Sequence, residues 1–387
     1  MKTNRRDFIK ITGTTGAGLM AYGMGSCSVP DFDMKFTGPI DGDMLTSLDG
    51  KVTGNGLIVP FKIEAPAGLN FQINGLIPVF NDGTYIADIE LNEYKNKVEI
   101  SEKRSGRQEI ITLFRLNDYT GRYRFSIDDN ILFLKDINTN SKKYKSIFEN
   151  PYLGFLKQVN VTYGTKVHLN IYYQTDGFNL SQMTDKYRSE WQANADWLRL
   201  SFHALQNDPD MPYLNAGYDE VKKDCKMVQE QIIRFAGEEL LGPVTTLHWG
   251  EANTEGCRAL HDSGYTALTG YFNLENGKPV VSYYMNKDQT EHISKRSVWC
   301  DTKTGIIFKK IHLVINSYQM DEIIPLLDQI KKDPIASAFI DLMIHEQYFH
   351  KSYIAYQPDY REKVMLAMKW ANDNGYKPSF LTDCIFS

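Results

Sequence analysis

Two carboxylates stand side by side at Asp128 and Asp129, where the alternating run Tyr123-Arg-Phe-Ser-Ile-Asp-Asp-Asn130 ends. Adjacent carboxylates repel unless a proton or a cation separates them, so a strand that delivers both to its end predicts a bound metal ion. Asp-Asp-Asn is also good turn chemistry, because its short side chains bond their own backbone. The wider set decides between the two. His203, His248 and the pair His345-Glu346 close later strand-like runs in the same way. In a parallel β/α barrel the loops after the strands form the catalytic mouth, and groups at these strand ends would meet there. His345 and His350 do not form a zinc-protease helix, since that motif needs histidines four apart on one helical face.

The elements that must position these groups follow from periodicity. Strand-like runs over 124–128, 166–173, 196–203, 244–248, 265–269, 338–346 and near 379–381 alternate with helical stretches over 146–163, 181–194, 219–239, 252–263, 320–331 and 358–374. This alternation predicts an α/β unit over 119–387, a distorted (β/α) barrel of seven or eight strands, with 271–319 as a less regular, β-rich insertion. No glycine-rich phosphate loop follows the first strand, which argues against nucleotide binding. Short alternating runs over 56–118, separated by Asn, Asp, Gly and Pro, predict a small Ig-like β-sandwich that serves as a spacer or accessory module. The Asp-, Gly-, Ser- and Thr-rich stretch 28–55 reads as a tether.

Residues 1–27 read as targeting sequence. Arg5 and Arg6 form a twin-arginine pair, and Met24-Gly-Ser-Cys27 resembles a lipoprotein cleavage box that would leave an acylated Cys27 as the mature N-terminus. The expectation is an exported protein held in the cell envelope by its lipid alone, and a monomer. The remaining cysteines, Cys225, Cys257, Cys300 and Cys384, contain no CxxC pair, so a cysteine metal site is not expected, while one or two disulfides are open. The 387 residues carry a formal net charge of -5, and no basic patch interleaved with aromatics, so nucleic acid is not an expected partner. With 23 Tyr and 20 Phe the chain is rich in rings that can fill cores or stack on sugars.

The motif set resembles the polysaccharide deacetylases of carbohydrate esterase family 4 and the wider glycoside hydrolase and deacetylase superfamily over roughly residues 120–387. These are distorted (β/α) barrels that use a metal to remove acetyl groups from N-acetylated sugars. Ser126-Ile-Asp-Asp-Asn130 takes the place of the family's Thr-Phe-Asp-Asp-Gly, which implies Asp128 as catalytic base and Asp129 as metal ligand. His203 matches the first histidine of the family's paired-histidine motif, but Asn207 stands where the second belongs, and either Asp208 or His248 is left to substitute. Leu342-Met-Ile-His-Glu346 matches the final motif, which implies His345 as the acid that protonates the leaving amine, oriented by Glu346 or Glu251.

The resemblance thus implies a divalent metal, zinc first, held by Asp129, His203 and His248, with Asp128, His345 and Glu346 catalytic. Trp249, Glu251 and Asp208 are expected to touch a carbohydrate substrate, and Trp249, Tyr271, Tyr348 and Tyr353 to form a rim or simply to pack. The expected activity is removal of acyl groups from a glycan. A glycoside hydrolase using carboxylates such as Asp128 and Glu346, or an inactive glycan-binding barrel, are the alternatives.

Overall fold

The computed structural model describes residues 32–54 and 56–386, so the twin-arginine pair and Cys27 lie outside the described residues. The N-terminal part consists of two sheets around one core. Lys35–Gly38, Leu57–Glu64, Thr84–Leu91 and Val79–Asn81 lie in that order in the first sheet, with Lys51–Val52 also paired to Leu57–Glu64. Met44–Leu45, Gln108–Arg115, Lys95–Glu102 and Phe71–Ile73 make the second. Along Leu57–Glu64 buried and exposed residues alternate strictly after Ile58, and Val59, Phe61 and Ile63 enter the core with Val98, Ile100 and Leu113.

Within the segment read as a tether, the described residues 32–54 are folded. Lys35–Gly38, Met44–Leu45 and Lys51–Val52 are all paired strands. Its glycines and aspartates serve tight turns and a close approach between the two parts of the chain. Gly42 has φ +84°, and a Cβ there would fall 1.9 Å from the carbonyl oxygen of Cys300, whose own N–H donates to the Gly42 carbonyl at 2.9 Å.

The rest of the chain is mixed α/β with parallel sheets and flanking helices. One sheet runs Leu198–Ala204, Val167–Tyr172, Arg122–Asn130, Phe339–His345, Leu313–Val314, all parallel. A second places Val244–Thr245, Ala267–Gly270 and Ile306–Lys310 parallel, with Val298–Asp301 antiparallel at its edge. The Gly242 N–H donates to Leu200 O (2.9 Å), and His312 N–H to Asp341 O (2.9 Å), so the chain steps from one sheet to the other on both sides. Strands covered on both faces become continuous apolar runs, and Val167–Tyr172 is buried at every position.

The helices carry ordinary start and stop signals. Asn150 caps the helix Pro151–Tyr163, proline opens it, and Gly164 closes it in the left-handed region. Tyr218–Phe235 buries Val221, Cys225, Val228, Ile232 and Phe235, one face at helical spacing. Two sequence expectations need correction. The region 271–319 carries a separate hairpin, Asn273–Glu275 with Lys278–Val280, but it also supplies Ile306–Lys310, a central strand of the second sheet that the sequence pattern did not reveal. The stretch 181–194 holds only the short helix Arg188–Gln192 after a 3-10 turn at Leu180–Gln182.

The four cysteines of the described residues are buried and free, so no disulfide forms among them. Among the described residues no helix is long and apolar enough to cross a membrane. Arg124 and Asp341 make a buried ion pair at 3.1 Å in the interior. Nearby Lys309 is fully buried, and burial pushes its ammonium down to about 7.

Candidate metal centre

The Arg122–Asn130 strand keeps register with its neighbour Val167–Tyr172 until Ile127 and then shifts before Asn130. The break sits on the carboxylate pair. Asp129 has φ 62°, in the left-handed region, which a short acidic side chain tolerates better than most. A regular strand would send successive side chains to opposite faces; this kink brings Asp128 and Asp129 to the same cavity. Asn130 holds the kink from behind, donating to the carbonyls of Ile127 (2.6 Å) and Asn170 (3.0 Å).

Asp129, His203 and His248 are the one group of convergent metal-ligand side chains among the described residues. His203 Nε2 lies 3.0 Å from Asp129 Oδ1, His248 Nδ1 lies 3.4 Å from the same oxygen, and the two nitrogens are 3.3 Å apart. Donor atoms sharing an ion through bonds of about 2.0–2.1 Å at tetrahedral angles are separated by about 3.3 Å, so the trio fits zinc. The far nitrogens agree with this. His203 Nδ1 meets the Thr246 carbonyl at 2.5 Å and His248 Nε2 the Asn207 carbonyl at 2.9 Å. A ring nitrogen that donates to a carbonyl leaves its partner nitrogen to bind metal.

Burial alone would raise the Asp129 carboxyl, but the hydrogen bond from His203 and the imidazoles gathered around it hold it well below the usual carboxylate range. Burial alone would lower the His203 imidazole, yet the Asp129 hydrogen bond and the charges of Asp128 and Asp129 raise it overall.

His248 was expected on a strand over 244–248. That strand ends at Thr245, and His248 opens a 3-10 turn in which Trp249 adopts φ 66°. Of the two substitutes for the absent second histidine, His248 reaches the centre. Asp208 is exposed and does not line the cavity, whereas Asp210 does.

The cavity measures about 460 Å³, and its wall includes Asp128, His345, Trp249, Tyr271, Tyr348 and Tyr353. Asp128 is buried, with Oδ1 accepting from Asn170 Nδ2 at 2.6 Å. His345 is the register partner of Asp128 on the adjoining strand, and its Nδ1 lies 2.9 Å from Asn316 Oδ1. Trp249 is 44% exposed at the rim. A larger groove of about 680 Å³ lies between the N-terminal sheets and the helix Lys287–Arg296, away from these groups.

Glu346 departs from the expectation of a catalytic role. It is fully buried and accepts from the N–H groups of Ile131 (2.6 Å), Leu132 (3.0 Å) and Phe133 (2.6 Å), which open the helix Leu132–Thr139. A carboxylate at a helix N-terminus satisfies orphan donors and faces the positive end of the dipole. Glu251 also lies outside the cavity wall, where its carboxylate meets the Ser282 N–H at 3.4 Å and burial raises it. Neither glutamate orients His345; Asn316 does. Asn316, Asn170 and Tyr172 went unread in the sequence, although Asn170 interrupts the apolar run Val167-His-Leu-Asn-Ile-Tyr172 and could have been flagged by that alone. Four further histidines are engaged away from the centre: His168 with Ser201, His292 with Asp43, His312 with Ser297 and His261 with Asp262.

No protein-family profile matches the chain, and no curated protein matches it. Solved structures match at low identity. One is a polysaccharide deacetylase, so described provisionally, from Mycobacterium smegmatis, with 11% identity, TM-score 0.41, and 69% of this chain and 89% of that chain covered. A 4-alpha-glucanotransferase from Thermococcus litoralis matches with 12% identity and TM-score 0.43, over 68% of this chain and 40% of that one. A carbohydrate deacetylase matches with 10% identity and TM-score 0.38, over 89% and 67%.

Proposed function

We propose that this chain is a metal-dependent hydrolase that removes acyl groups, N-acetyl first among them, from a carbohydrate. In this reading the parallel strands of the two sheets, five in the first and three in the second, form one distorted (β/α) barrel. The observation that carries it is the trio Asp129, His203 and His248, spaced for a single ion and set beside Asp128 in an aromatic-walled cavity.

Asp129, His203 and His248 would hold a divalent ion, zinc by donor type and spacing, which would supply Lewis acidity toward the acyl oxygen and acidify the attacking water. The chain's residues do the rest. Asp128, with Oδ1 tethered by Asn170, offers its other oxygen as the base that takes the proton of the attacking water. The new C–O bond forms at the acyl carbon, and the C–N bond breaks with its electron pair leaving on nitrogen. His345, its Nδ1 proton directed to Asn316, presents Nε2 to the cavity and gives the amine its proton. Carboxylate and free amine are the products. Trp249, Tyr271, Tyr348 and Tyr353 provide faces on which sugar rings stack.

The leader motifs at Arg5-Arg6 and Cys27 support export and a lipid anchor, with the catalytic part acting in the envelope. Glu346, bound to a helix N-terminus, is not free to act as the second carboxylate of the glycosidase alternative.

The test is metal analysis of the protein lacking residues 1–27, together with acetate release from N-acetylated glucosamine and galactosamine oligomers. One ion per chain, with acetate release abolished by chelation and restored by zinc, is expected. A protein that takes up no ion when zinc is supplied in excess would overturn the reading.

A further inference from the structure

One buried polar group touches the metal trio and has no part in the reaction above. Tyr172, the last residue of its strand, is 2% exposed, and its hydroxyl oxygen lies 2.5 Å from Asp129 Oδ1 and 2.9 Å from His248 Nδ1. Asn207 Oδ1, from the position where a second histidine was expected, is 3.4 Å away.

We propose that Tyr172 is a positioning residue for the bound metal, donating its hydroxyl proton to Asp129 from outside the coordination shell. The proposal deepens the metal-hydrolase reading and rests on it.

Distances decide between ligand and donor. The trio's separations of 3.0, 3.4 and 3.3 Å suit atoms sharing one ion, for which about 3.3 Å is expected. The 2.5 Å between Tyr172 and Asp129 is an O–H···O⁻ hydrogen-bond distance, too short for two independent ligands. The hydroxyl therefore sits on the ligand and not on the ion, which leaves a coordination position open for water and substrate.

The single hydroxyl proton also accounts for the second contact. With His248 Nε2 committed to the Asn207 carbonyl, Nδ1 is an acceptor, and without an ion it competes with Asp129 for the Tyr172 proton. With an ion held by the trio, the Nδ1 lone pair would be engaged and the hydroxyl proton would go to Asp129 alone. Tyr172 thus holds both ligand atoms in place before the ion arrives, and aims the carboxylate afterwards.

The experiment compares zinc affinity, by competition with a chromogenic chelator, in the wild type, Tyr172→Phe and Tyr213→Phe. Tyr213 is another buried tyrosine whose hydroxyl meets a carboxylate, Asp224 at 3.2 Å, and it bonds to the Leu205 N–H but to none of the trio. Tyr172→Phe is expected to weaken zinc binding by about 10- to 100-fold, the range for removing a ligand's outer hydrogen-bond partner, and Tyr213→Phe to leave it unchanged. Equal affinities for wild type and Tyr172→Phe would overturn the proposal while leaving the metal site intact. A wild type that binds no zinc would overturn both. Should Tyr172→Phe fail to fold, the wild type still decides: stoichiometric zinc is expected to produce a tyrosine difference band in the near-ultraviolet, and a flat difference spectrum would overturn the proposal.

Discussion

His248 Nε2 lies 2.9 Å from the carbonyl oxygen of Asn207, the residue that stands where the sequence called for a second histidine. The backbone of that position orients a ring brought from another segment. His248→Ala is therefore expected to abolish stoichiometric zinc binding, whereas Asp208→Asn should leave it unchanged. Atomic absorption on the two variants checks this, and metal loss in Asp208→Asn with retention in His248→Ala would reverse the assignment.

Asn316 fixes which nitrogen of His345 faces the cavity. Replacing it by Ala frees the ring, and kcat is expected to fall by a substantial part of the ~10²–10⁴-fold that a positioned general acid contributes. Asn316→Asp instead places a carboxylate beside the ring. That favours the imidazolium, so the alkaline limb of the kcat profile should move to higher pH. A profile that does not move would show that His345 is not the acid.

Proton and metal compete for the same trio. His203 is raised above its ordinary value, so its contribution to the metal-free fold is full below about pH 6.5 and is lost as pH rises through its folded value. Asp129 is lowered, so its contribution is present above its unfolded value near 3.9 and lost only as pH falls through the depressed one. Zinc, in contrast, binds more tightly as His203 gives up its proton. The fall in Tm caused by chelation should therefore be larger at pH 8 than at pH 6, as differential scanning calorimetry would reveal. An equal fall at both would contradict the competition.

Glu346→Ala should act on stability. It strips acceptors from three N–H groups at the start of Leu132–Thr139 and from His350, at about 1–3 kcal/mol for each buried group left unsatisfied. A marked loss of Tm with unchanged zinc stoichiometry is expected. Unchanged Tm with lost turnover would return Glu346 to the chemistry.

Lys309 makes the opposite kind of prediction. Its folded value near 7 lies below its unfolded value, so folding expels a proton, and stability attributable to this group rises between about pH 7 and 10. Lys309→Met should stabilise the protein more at pH 6 than at pH 9, by on the order of a few kcal/mol at the lower pH. Urea denaturation at the two values measures it.

Most of the α/β scaffold was legible because both-face burial and helical periodicity leave direct marks. The strands near 124, 167, 198, 267 and 339 and the helix Tyr218–Phe235 announce themselves this way. The site was legible where a titratable residue ends a strand, as at Asp129, His203 and His345. It was not legible where geometry depends on backbone kinks or amide partners. Nothing in the identity of Asn316 says that it will face His345, and nothing in Glu346 separates an acid in a cavity from one bonded to a helix start 215 residues back from it in sequence. The segment 28–55 misled for a related reason, since turn-forming residues serve a short paired strand as well as a loose linker.

Met44 and Phe114 of the N-terminal sheets share one apolar cluster with Val244, Ala267, Val298, Ile307 and Phe339. Val244, Ala267 and Phe339 are the first residues of parallel strands, at the opposite end from the carboxylates and imidazoles. The leading sheets are accordingly a foundation stone and not a detachable ornament. A version of the protein begun at residue 119 would stand on a floor of exposed Phe339 and Ile307, and loss of that footing would reach the mouth through every strand that spans the distance between them.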